Sequence, residues 1–229
     1  MLDRLINIDQ QITIALNGSD SLFLDGIAQS ATATITWLPL ALVLAYVIIR
    51  NNNWRNILFT MLALGICVLI ADQVASGICK PLFQRFRPAQ DPSLIHLIDV
   101  VDGYRGGLYG FFSSHSANTF SLAIFVSLLI RHKALTLSLL SWAILNCWTR
   151  VYLGVHFIGD LLVGFLFGSF VGFLVYVLYR KVCKIELDSS HRSEIQTLSG
   201  YPLDHVYMLV STLLLTYIYI LFRGVVYIF

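Results

Sequence analysis

Charged side chains are scarce in this sequence: Asp, Glu, Lys and Arg make up 12% of its 229 residues, against roughly a quarter in an ordinary soluble domain. Hydrophobic residues fill 57% of it, too much apolar surface for so few charges to solvate. A membrane protein is implied. The net charge of +2 is small and dispersed, which excludes a nucleic-acid-binding stripe and an acidic tail. Cysteine is sparse as well. Cys67, Cys79, Cys147 and Cys183 stand far apart, mostly in or at the end of apolar runs. That spacing gives neither a metal-ligand cluster nor a disulfide framework, so the four read as small apolar residues, since free cysteine buries readily. The start of the chain has no basic opening, and Asp9, Gln10 and Gln11 interrupt the apolar residues near it; the N-terminus is therefore expected to be retained and not cleaved as a signal peptide.

What the chain does contain is a series of apolar runs, at residues 27–49, 56–78, 115–130, 134–149, 156–179 and 205–222, most near the roughly 20 residues that cross a bilayer. They predict an all-α, polytopic membrane bundle of about six transmembrane helices, forming a single domain over residues 1–229. Ahead of them, residues 3–16 place Leu5, Ile8, Ile12 and Leu16 on one face and close at Asn17-Gly18, the pattern of an amphipathic helix lying in the membrane interface. Two polar breaks stand out. Residues 80–114 gather Lys80, Arg85, Arg87, Asp91, Asp99, Asp102 and Arg105 among prolines and glycines. Residues 180–204, with Lys184, Glu186, Asp188, Arg192 and Glu194, read as a solvated connection. Asp72 is the one charge well inside an apolar run and is expected to be a buried, hydrogen-bonded structural residue.

Basic loops tend to remain cytoplasmic. One side of the bundle collects Arg50, Arg55, Arg131, Lys133, Arg180, Lys181, Lys184 and Arg192; the other collects Arg4, Lys80, Arg85, Arg87, Arg105, Arg150 and Arg223. That balance is even. Setting Lys80, Arg87 and Arg150 aside as site residues tips it, and places residues 80–114 and both termini on the outside.

Three segments carry the parts of a phosphoryl-transfer site in order: Lys80 with Arg87-Pro88, then Ser113-Ser114-His115, then Arg150 with His156 and Asp160. Phosphoryl transfer requires neutralising charge on three equatorial oxygens while nucleophile and leaving group lie in line. Arg87 and Arg150 offer planar donor forks and Lys80 a mobile point charge, enough to surround a dianion without a metal or other cofactor. Ser113 adds a hydroxyl and Ser114 a backbone N–H, at a helix N-terminus that favours an anion. His156 and Asp160 are four residues apart, one helical turn, so the carboxylate is expected to reach the imidazole and fix its tautomer. An imidazole so oriented can attack phosphorus through its other nitrogen, leaving His115 to protonate the departing alkoxide and then activate water. Each piece alone has a structural reading: a juxtamembrane basic cluster, a buried ion pair, a helix cap. Their joint occurrence in this order favours the catalytic one.

These motifs resemble those of the type 2 phosphatidic acid phosphatase superfamily. Lys80 to Pro88 matches its lysine, six residues, Arg-Pro motif; Phe112-Ser113-Ser114-His115 matches its Pro-Ser-Gly-His; Thr149 to Asp160 matches its Ser-Arg, five residues, His, three residues, Asp. The resemblance implies His156 as nucleophile, Asp160 as its partner, His115 as acid and base, Lys80, Arg87, Ser113 and Arg150 as phosphate ligands, and an α-helical bundle with the site at one membrane face. Phe112, Ser114 and Thr149 depart from the family's proline, glycine and serine without removing a reacting group; Ser114 is expected to narrow the space above the phosphate.

The expected protein is therefore a bacterial inner-membrane lipid phosphatase with a periplasmic site, working through a phosphohistidine, with the bilayer and a lipid phosphate as its partners and no nucleic acid or obligate protein partner. Lipid A is the favoured substrate, with undecaprenyl diphosphate and phosphatidylglycerol phosphate as alternatives. A lipid-binding or transport protein is the alternative outside enzymes. Residues 89–112, with His96, Asp99, Asp102, Tyr104 and Arg105, are expected to shape the entrance and touch the headgroup.

Overall fold

A computed structural model describes residues 2–183 and 195–229. Lys184, Glu186, Asp188, Arg192 and Glu194, and with them most of the second polar stretch, lie outside the described residues. Most of the rest is helical: α1 (Leu2–Leu16), α2 (Leu22–Thr32), α3 (Leu38–Asn51), α4 (Trp54–Asp72), α5 (Lys80–Phe83), α6 (Ser114–Ile130), α7 (Lys133–Tyr152), α8 (Ile158–Cys183) and α9 (Leu203–Val226).

The segments Thr34–Asn51, Trp54–Phe83, Ile158–Cys183 and Leu203–Val226 are long and apolar enough to cross a membrane, and Ser114–Ile130 is a shorter apolar helix. With the 20-residue α7, they form the polytopic bundle that the sequence indicates. On α1, Leu5, Ile8, Ile12 and Leu16 are exposed, whereas Thr13 is fully buried and Asp9 half-buried; the polar face docks on the bundle.

The first apolar run is not one helix. It breaks at Ala33, which is extended (φ −71, ψ 123), and passes through a short 3-10 turn at Thr34–Trp37 before α3. Freed carbonyls inside a membrane must find donors. Here the Thr36 hydroxyl donates to Ser30 O at 2.7 Å and Trp37 Nε1 to Ala31 O at 2.9 Å. The second run stays continuous but loosens into a π-helical stretch, Gln73–Cys79, before α5. Pro81 follows at the start of α5, where its missing N–H and its ring oppose regular α-helical bonding to the preceding turn.

α6 is the central helix, with most of its faces buried, Ala123, Phe125 and Ile130 completely so; a helix apolar all round belongs in such a place. Its tightest neighbour is α8, where Gly168 and Gly172 lie against α6 backbone: a Cβ on Gly168 would fall 2.2 Å from Ala117 O, and one on Gly172 2.3 Å from Ser121 O. Small residues at four-residue spacing let membrane helices approach this closely. α6 and α8 run parallel, so their N-termini emerge side by side, and the antiparallel α7 delivers its C-terminus to the same end.

Candidate active site

Every residue singled out in the three motifs sits at that end. Lys80 closes the second membrane segment, its Nζ donating to Ser76 Oγ at 2.9 Å and Ser114 Oγ at 3.3 Å. Ser76 in turn donates to Asp72 Oδ1 at 3.4 Å. Asp72 is thus half-buried, not buried as its place in an apolar run suggested, and its hydrogen bond leads to a site residue one step on.

Arg87 is extended (φ −72, ψ 155), as a residue before proline prefers. Its Nη1 donates to Val155 O at 3.1 Å and stands 3.4 Å from His156 Nε2. Its backbone N–H donates to Leu108 O at 3.1 Å, and Phe86 pairs with Tyr109 in an isolated antiparallel bridge, which folds the long loop back over the site. At Gly110 a Cβ would stand 3.1 Å from Asp160 Oδ2 and 3.5 Å from His156 Nδ1, so a bare backbone fits where a side chain would crowd. Arg150, 2% exposed, lies in the last turn of α7. Its Nε donates to Thr149 Oγ1 at 3.2 Å, and that hydroxyl donates to Asn146 O at 2.8 Å. Threonine here anchors the arginine through the oxygen that a serine would also carry. Arg87 Nε and Arg150 Nη2 are buried and have no partner among the described residues. Burial draws the Arg87 guanidinium below its usual range, with Tyr104 and Asp160 opposing the shift.

Ser113 caps α6: its Oγ accepts from Ser116 N at 3.4 Å, and its own N–H donates to Asp160 O at 3.1 Å, tying α6 to α8. The hydroxyl expected on phosphate is therefore engaged as a helix cap. The Ser114 hydroxyl accepts from Lys80 Nζ. His115 is exposed in the first turn of α6, with Arg150, Lys80 and Arg87 as its charged neighbours and His156 close by.

His156 is 1% exposed. Its Nδ1 lies 3.4 Å from Asp160 Oδ2, leaving Nε2 toward Arg87. The pairing expected from their spacing is present for a different reason. His156 precedes α8 instead of lying on it, and Asp160, in the first turn, bends back to accept from Phe157 N at 3.1 Å. Burial pulls the imidazole down to about 4 against the opposing pull of Asp160, with Arg87 and Lys80 lowering it further. His156 is neutral at pH 7, and its Nε2 faces Arg87 Nη1 at 3.4 Å.

Two charged residues were not foreseen as part of the site. Arg85 Nη1 donates to Asp160 Oδ1 at 2.8 Å and Nη2 to Asp9 Oδ2 at 2.7 Å. The spacing of Arg85 two residues before Arg87, which in an extended segment turns both to one face, was the available signal that Arg85 also reaches the site; nothing local marks Asp9. In the long loop, Asp102 accepts from Gln29 Nε2 at 2.9 Å and from the Tyr227 hydroxyl at 2.6 Å, and Arg105 Nη1 donates to Ala89 O at 2.7 Å. Those two brace the loop, His96 is exposed, the Asp99 amide donates to Asn17 Oδ1 at 2.7 Å, and Tyr104 lies beside Arg150.

Comparison with known proteins agrees with this arrangement. The PAP2 superfamily model matches residues 56–184. A lipid A 4'-phosphatase of Bacteroides thetaiotaomicron is 36% identical over 183 residues, covering 80% of this chain and 81% of that protein. A lipid A 4'-phosphatase of Porphyromonas gingivalis is 36% identical over 178 residues, covering 78% and 75%. The crystal structure of a transmembrane PAP2-type phosphatidylglycerolphosphate phosphatase from Bacillus subtilis superposes with a TM-score of 0.60 at 23% identity, over 80% of this chain and 90% of that one, a likeness of fold. With the family model over more than half its length and relatives matched along most of theirs, this chain belongs to the PAP2 superfamily.

Proposed function

We propose that this protein removes the 4'-phosphate of lipid A through a phosphohistidine formed on His156. It is a PAP2-type lipid phosphatase, and the observation that carries the mechanism is a pair of buried guanidinium donors, Arg87 Nε and Arg150 Nη2, without partners among the described residues, the first on the arginine that meets the neutral His156 and the second on the arginine beside His115. Buried donors without acceptors are costly and suit a group that brings its own oxygens. Lys80, the two arginines and the N-terminal amides of α6 neutralise the phosphate. His156 Nε2 attacks phosphorus as the bond to the lipid oxygen breaks, and His115 gives its proton to that oxygen. Water then attacks the phosphorus, His115 takes its proton, the P–N bond breaks, and inorganic phosphate leaves with His156 restored. Asp160 holds the Nδ1 proton throughout.

The two lipid A 4'-phosphatase relatives support the substrate. The distribution of basic residues supports a site on the periplasmic side of a bacterial inner membrane. The test is phosphate release by detergent-purified protein, with EDTA present, from lipid A, undecaprenyl diphosphate and phosphatidylglycerol phosphate, beside His156→Ala. Release from lipid A that disappears in His156→Ala is expected. Equal activity with and without His156 would overturn the mechanism, and preference for another lipid would overturn the substrate.

A further inference from the structure

We propose that α1 belongs to the catalytic apparatus, with Asp9 and Arg85 acting as positioning residues that set the charge on Asp160 and, through it, the reactivity of His156. The inference rests on the histidine mechanism above and extends it to an element outside all three motifs.

The first amides of a helix need acceptors from elsewhere. At α8 they come from α1: Ile158 N donates to Thr13 Oγ1 at 3.2 Å and Gly159 N to Asp9 Oδ1 at 2.8 Å. A Cβ on Gly159 would fall 2.8 Å from Asp9 Oδ2, so the two helices meet without room to spare. The polar face of α1 therefore caps the helix whose first turn carries Asp160, while Leu5, Ile8, Ile12 and Leu16 on its other face stay exposed.

Arg85 joins the same two elements. One nitrogen holds Asp9 at 2.7 Å and another holds Asp160 at 2.8 Å, and the guanidinium lies over the Phe157 ring at 4.1 Å. A planar fork can serve two carboxylates at once; an ammonium on a flexible stem cannot hold both in fixed directions. The side chains of Arg85 and Asp9 are 27% and 16% exposed and that of Asp160 is 0% exposed, so solvent screens this triad only in part.

The charges around His156 show what the triad does. Acting on it directly are Asp160 from α8, Arg87 from the loop after α5, Lys80 from α5 itself and His115 from α6; Arg85 reaches it through Asp160, Asp9 from α1 through Arg85, and Arg150 from α7 stands beside His115. Asp9 and Asp160 are the negative members of that set. Asp9 takes up part of the Arg85 charge that would otherwise fall wholly on Asp160, keeping the carboxylate a strong acceptor for the imidazole.

The experiment is the pH dependence of kcat and KM for lipid A hydrolysis by Asp9→Asn and Arg85→Gln, beside wild type and His156→Ala. Asp9→Asn exposes Asp160 to the full Arg85 charge; kcat falls about tenfold, the scale of one lost hydrogen bond to a charged group, KM changes little, and the acid limb moves to lower pH. Arg85→Gln leaves two carboxylates without their cation, so the acid limb moves to higher pH. Asp9→Glu, which keeps the charge, returns the limb toward wild type. Opposite shifts establish the proposal, since a merely structural contact would lower the yield of active enzyme without moving the profile. If one variant does not fold, the sign of the shift in the other decides. Shifts in the same direction, or none, overturn the proposal while His156 remains essential; loss of the His156 requirement overturns the histidine mechanism and this proposal together.

Discussion

His156 Nδ1 lies 3.4 Å from Asp160 Oδ2, and the same oxygen accepts the Phe157 amide at 3.1 Å. One carboxylate thus orients the imidazole and closes the turn that carries it. Asp160→Asn presents an amide that can offer its N–H to Nδ1 and so favours the wrong tautomer. kcat is expected to fall by ~10^3–10^4-fold, as when a carboxylate that orients a reacting histidine is lost. Steady-state phosphate release measures it; a loss under tenfold would remove Asp160 from the role assigned to it.

Arg150 is anchored by the neighbouring Thr149 Oγ1, 3.2 Å from its Nε, and has Tyr104 beside it. Thr149→Val keeps the volume and removes that acceptor, so kcat/KM should drop by about tenfold, comparable to one charged hydrogen bond. Thr149→Ser should stay near wild type. Arg150→Lys loses the fork altogether and should cost about 10^2–10^3-fold. Equal activities for the valine and serine variants would show that the anchor is dispensable.

Burial holds His156 near 4, below its ordinary 6.5. The imidazole is neutral and able to attack above that pH, so the acid limb of kcat/KM should lie near pH 4. Stability follows the same group with a defined sign. The unfolded chain takes up the proton first as pH falls, so the stability due to a neutral His156 is full above about 6.5 and is lost between 6.5 and 4, where the unfolded state binds more protons. Thermal melts of wild type and His156→Ala over this range check it: the wild-type midpoint should fall more steeply.

Gly168 and Ala117 O leave no room for a Cβ, which would sit at 2.2 Å. Gly168→Ala must push α8 away from α6, and overpacking of this kind costs about 1–3 kcal/mol. It also parts the two N-termini that present His115 and Asp160. Both the melting temperature and kcat should fall; a stable, fully active alanine variant would show that the helices separate without disturbing the site.

Much of this protein was legible along the chain because the relevant physics is local. Apolar runs report membrane segments wherever they occur, and motif spacing places Lys80, Arg87, Ser113, Ser114, His115, Arg150, His156 and Asp160 at helix ends that a bundle brings to one face. Other features arise only when distant segments meet. The break at Ala33 is tolerable because Thr36 and Trp37 satisfy the freed carbonyls, and hydropathy does not register hydrogen bonds. The Ser113 hydroxyl serves as a cap because the entry angle of α6 directs it there. Asp9 stands 76 residues from Arg85, and no pattern along the chain links them. Residue types and their spacing thus determined the membrane bundle and the inventory of its proposed reacting groups. The partners of each charge, and the use of the polar face of α1 to cap α8, were decided by tertiary packing, because hydrogen bonds and ion pairs depend on distances and angles that only the assembled helices define.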